Sequence, residues 1–69
     1  MRDLSLLYRK ADQLLPTQPH LARLIKVRPA EVVAAPLDGM NAHQRRKVRA
    51  LARLIHRALH EQPPLFPLA

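Results

Sequence analysis

Apolar residues return at three- and four-residue steps through most of this chain, and nothing alternates at period two over any length. Leu4, Leu7, Ala11, Leu14 and Leu15, with Tyr8 beside them, predict a first helix over residues 3–15. Arg9, Lys10, Asp12 and Gln13 fall on its other side. Asp3 or Ser5 can cap it and Pro16 ends it. Thr17 is the expected cap of a second helix, with Pro19 in its first turn and Leu21, Leu24 and Ile25 as its apolar face. Residues 30–35, with Val32 and Val33, read either as a short third helix or as a turn or extended piece, because the segment is short and β-branched.

Residues 37–40 are a turn holding the only glycine, Gly39. Asn41 and Gln44 then form a capping-box pattern for a long helix from Ala42 to about Glu61, which Pro63 and Pro64 end. Val48, Leu51, Ala52, Ile55 and Leu59 make its core-facing stripe. The expected fold is all-α: three helices, or four counting the short one. Residues 1–62 form a single helical domain, and residues 63–69 form an extended, apolar, proline-rich tail. Leu65, Phe66 and Leu68 in that tail either fold back over the core or dock into a groove on a partner.

Charge changes this picture from a small bundle to a binding protein. The net charge of +7 on 69 residues points to polyanionic partners. Arg45, Arg49, Arg53 and Arg57 follow one another at four-residue steps, and Arg46, Lys47, His56 and His60 widen the basic surface. Only Glu61 opposes them on that helix, so ion pairs at helical spacing do not balance the arginines. A guanidinium grips phosphate oxygens in pairs, and one turn of helix, about 5.4 Å, spaces such groups along a sugar-phosphate backbone. Arg23, Lys26 and Arg28 form a secondary basic patch. With Tyr8 and Phe66 the only aromatic side chains besides histidine, recognition rests on phosphate contact and shape, not on stacked bases.

The run EVVAAPLDGMNAHQRRKVRALARL, residues 31–54, resembles the segment by which the bacterial small-subunit ribosomal protein eighteen family enters its rRNA-binding helix. The residues that carry the resemblance are Val32, Val33, Leu37, Gly39, Ala42, Arg46, Lys47 and Val48. It extends loosely over residues 21–67. It implies that Arg46, Lys47 and their neighbours contact ribosomal RNA within a ribonucleoprotein. The chain departs from that family in its acidic AAPLD turn and in a leucine-rich helix where the family has an aromatic and basic arm. A second run, LARLIKVRPAEVV at residues 21–33, resembles a helix-turn-helix through Leu21, Ala22, Ile25, Val27 and Val32, with Lys26 where that turn prefers glycine. Small phage- or plasmid-encoded transcription regulators are similar in size and charge, and some grip RNA polymerase. That resemblance implies a protein partner, with Leu6, Tyr8, Leu65, Phe66 and Leu68 as candidate contacts.

The residues offer no constellation for catalysis. The five acids are scattered, Ser5 and Thr17 lack a His-and-acid pattern, and there is no cysteine or glycine-rich phosphate loop. His56 and His60 sit at i,i+4 without a third ligand beyond Glu61, so they read as two half-exposed histidines and not as a metal site. The expectation is therefore no enzyme, no cofactor and no small-molecule substrate. The N-terminus, with Asp3 and Asp12, has no secretory pattern, and no apolar run is long enough to span a bilayer. An intracellular site, in cytoplasm or an organelle matrix, is the matching expectation.

Overall fold

The computed structural model describes residues 4–61. Four helices follow in order: α1 (Leu4–Leu14), α2 (Pro19–Val27), α3 (Pro29–Ala34) and α4 (Ala42–Glu61). There is no strand among the described residues, so the chain is a small all-α domain. The tail residues Leu65, Phe66 and Leu68 lie outside the described residues.

At about 30 Å, α4 is the spine. α1 and α3 both pack on it, and α2 bridges them from behind. The core runs through all four helices, with Ile25, Val32, Val48 and Ile55 the largest fully buried side chains. α1 runs antiparallel to α4: its last carbonyl, on Leu14, accepts a hydrogen bond from the Gln44 side chain in the first turn of α4 at 3.5 Å.

Prolines set the breaks. Arg28 is at once the last cap of α2 and the first of α3, at φ −134° and ψ 66°. Pro29 excludes the helical conformation from the residue before it, so α2 and α3 are separate helices with one residue between them. α3 therefore starts at Pro29, one residue earlier than the pattern predicts, and Pro29 itself is buried. It ends at Ala34, because Ala35 is extended ahead of Pro36. Thr17 does not cap α2. The cap position belongs to Gln18, whose carbonyl accepts from the Ala22 amide at 3.0 Å, while Thr17 sits in the preceding turn. Ser5 lies inside α1 and is not its cap.

The loop into α4 carries two left-handed residues, Leu37 at φ 54° and Gly39 at φ 88°. For leucine that conformation costs about 1–2 kcal/mol. Burial of the Leu37 side chain, 6% exposed, offsets it. Asn41 then caps α4, its side-chain oxygen accepting from the Gln44 amide at 2.8 Å. The reciprocal half of the capping box is not made. The Gln44 side chain instead reaches the unpaired end of α1, a tertiary contact that a local pattern cannot foresee. Asn41→Ala is expected to cost about 1 kcal/mol. In a domain of this size that lowers the thermal midpoint by about 4–8 °C, read by circular dichroism.

The buried stripe of α4 is Val48, Leu51, Ala52, Ile55 and Ala58, with Ala58 in the place expected for Leu59. At the far end of the helix Ala58 is 3% exposed, while Leu59, the next position round, is 37% exposed.

Candidate nucleic-acid interface

The exposed side of α4 is defined by what its buried stripe leaves over. At 3.6 residues per turn, Arg46, Arg53 and Arg57 fall opposite that stripe and form an outer crest. The row of Arg45, Arg49, Arg53 and Arg57 is not parallel to the axis. Each four-residue step overshoots a turn by about 40°, so the row climbs from the α3 flank to the crest. Arg45 and Arg49 are accordingly half-buried, and Arg53 and Arg57 are exposed. Arg45, Arg46, Arg49 and Arg53 together line a shallow concavity that starts beside Ala42.

The guanidinium groups differ in what already holds them. Arg49 donates to the Ala35 carbonyl at 3.0 Å and so ties the end of α3 to the middle of α4. Arg57 stands 4.0 Å from Glu61. Arg45, Arg46, Lys47 and Arg53 have no hydrogen-bond or ion-pair partner among the described residues. The first turn of α4 contains no acid. Placing Arg45, Arg46 and Lys47 near the positive end of the helix dipole disfavours the helix and favours a bound anion.

The secondary patch is mostly neutralised. Lys26 pairs with Asp12 at 2.7 Å and Arg28 with Glu31 at 3.2 Å, which leaves Arg23 as its unpaired member among the described residues. Lys26 also anchors its own helix, since its carbonyl accepts a hydrogen bond from Tyr8 at 3.4 Å. Tyr8 is thereby turned into the fold, packed against the core, and of the partner candidates on α1 only Leu6 stands out, 52% exposed. His56 and His60 are exposed with their rings 4.4 Å apart. No group of three His, Cys, Asp or Glu among the described residues is placed to hold a metal.

Lys47 parts company with the arginines. It lies on the α1 flank, where it and Lys10 border one apolar groove. Lys10 is a basic position that the periodicity of α1 assigns only to a polar side. Its closeness to Lys47 follows from the antiparallel packing of α1 on α4 and from nothing local.

Arg49 is expected to behave unlike its neighbours. Arg49→Ala removes a partly buried bond to the Ala35 carbonyl and lowers stability by about 1–2 kcal/mol, measurable as an earlier thermal midpoint. Arg46→Ala leaves that midpoint unchanged or slightly raised, because it removes a cation near the start of α4.

No helix among the described residues is long and apolar enough to cross a membrane. Comparison with protein-family models, curated proteins and solved structures finds no match to this chain.

Proposed function

We propose that the chain is a non-enzymatic RNA-binding protein of a ribonucleoprotein, which lays the arginine side of α4 along RNA phosphates. The observation that carries this reading is the set of unpaired cations Arg45, Arg46 and Arg53 on one exposed side of a helix whose other side is core. Exposed arginines that serve only solubility are usually interspersed with acids. Of the described acids, Asp12 holds Lys26, Glu31 holds Arg28 and Glu61 stands beside Arg57 at the far end of α4, while Asp38, in the loop before α4, forms no ion pair with Arg45, Arg46 or Arg53.

α4 is a ridge flanked by α1 and α3, so it suits contact with a backbone better than insertion into a groove. A DNA operator is less well served. α3, the helix that would read bases, has six residues and exposes Ala30, Glu31 and Ala34. Two alanines offer base edges no hydrogen bond, and a carboxylate meets phosphate repulsion. The resemblance over residues 31–54 to the small-subunit ribosomal family supports the same reading: Val32, Leu37 and Val48 lie in the core, while Arg46 and Lys47 are exposed.

The competing reading is a small transcription regulator that binds RNA polymerase, and exposed Leu6 favours a protein contact of that kind. Affinity purification of the tagged chain from its own cell, with half of the sample treated with nuclease, separates the two. Ribosomal RNA and small-subunit proteins that vanish with nuclease are the expected result. Polymerase subunits that survive it overturn the RNA reading.

A further inference from the structure

Between α1 and α4 lies a groove with Leu14, Ala50, Leu51 and Leu54 along it and a lysine from each helix, Lys10 and Lys47, at its edges. Lys47, Ala50 and Leu54 succeed one another at i, i+3 and i+7 on α4, so the groove follows the helix for about 10 Å. Leu54 stays 37% exposed in it. Neither lysine has an acidic partner among the described residues.

We propose that this groove binds an acidic amphipathic segment of a protein partner. Aliphatic side chains of that segment, at helical spacing, seat on Leu14 and Leu54, and its carboxylates meet Lys10 and Lys47. The inference does not depend on RNA binding by the arginine crest.

The combination of features selects the occupant. An apolar floor gives a nucleic-acid backbone nothing to bind, and no aromatic side chain borders the groove for a base to stack on. A second copy of the chain would bring a net charge of +7 against two lysines. Residues 62–69 supply leucine and phenylalanine but no acidic side chain. A segment with aliphatic and acidic residues satisfies both the floor and the edges.

The test uses the full chain, labelled with nitrogen-15, and a synthetic helical peptide with leucines at i, i+3 and i+7 among glutamates. The control peptide has lysine at every glutamate. Amide shifts at Lys10, Lys47, Ala50 and Leu54 with the glutamate peptide, and none with the lysine peptide, are expected. Leu54→Ser removes apolar contact without changing charge and is expected to weaken the peptide about tenfold, with the helical spectrum retained. Lys10→Glu with Lys47→Glu should transfer binding to the lysine peptide. Shifts confined to Arg45, Arg46, Arg49 and Arg53 would mean that the peptide acts only as a polyanion, and would overturn the proposal. So would the absence of any shift, concentration-dependent dimerisation through the groove, or equal binding of both peptides.

Discussion

Replacing Arg45, Arg46 and Arg53 together by alanine is expected to weaken RNA binding roughly one hundred- to five-hundred-fold at about 0.1 M salt, with helix content unchanged. The size follows from counterion release. Each phosphate neutralised adds about 0.7–0.9 to the slope of log affinity against log salt, so one contact is worth roughly five- to eightfold at that salt concentration. Three contacts multiply. The same variant should therefore lose about 2–3 from the slope, and the slope is the firmer readout because it counts contacts directly. These three are chosen because nothing in the described fold engages their guanidinium groups. Arg49 is left intact, since its loss would mix a broken contact to Ala35 with a lost phosphate. Arg57 is left because Glu61 already shares its charge. Lysine at the same three positions should keep most of the slope and lose only the paired grip of the fork. Fluorescence anisotropy on a labelled hairpin, from 50 to 300 mM salt, measures both quantities. An unchanged slope in the alanine variant would remove the crest from the interface.

What could be read from the chain depended on how local the cause was. The start of α4 was legible because Asn41 marks it locally as a cap, and the structure starts the helix at Ala42. The one-residue error at Pro29 is of the same local kind: a proline at the first helical position was available as a signal. Ala58 for Leu59 was not legible in this way. Period alone gives both residues a claim on the core, and only the tertiary packing decides between them. The state of the basic residues was hidden for a similar reason. Lys26 and Asp12 are fourteen positions apart, and only the packing of α1 on α2 brings them to 2.7 Å. Arg28 and Glu31 stand at i,i+3 and could have been paired from the sequence. Lys10 and Lys47 belong to different helices, so the groove they border has no trace in either segment alone.

Ile55→Ala is expected to lower the thermal midpoint by about 8 °C or more, whereas Leu54→Ala, one residue away, moves it by only a few degrees. Ile55 is wholly inaccessible and Leu54 is 37% exposed. Truncating a buried isoleucine costs about 2–5 kcal/mol, part lost transfer and part cavity. Domains hold about 0.05–0.15 kcal/mol per residue, which for a chain this short is about 3–10 kcal/mol in all. The substitution thus removes a large share of the total, and each kcal/mol is worth about 4–8 °C here. Urea unfolding followed by circular dichroism checks the contrast, and equal losses at positions 54 and 55 would mean that the buried stripe is misassigned. The same variant also connects the core to the interface. Ile55 lies on the side of α4 away from Arg53, so on the proposed reading RNA on the crest does not touch it, and the folded arrangement of arginines is expected to bind RNA more tightly than the unfolded chain. A ligand that binds only the folded state at one hundred times its dissociation constant adds about 2.7 kcal/mol. Saturating RNA should therefore restore much of the midpoint lost in Ile55→Ala. It should restore much less when Arg45, Arg46 and Arg53 are replaced in the same chain, because the ligand then has little to hold.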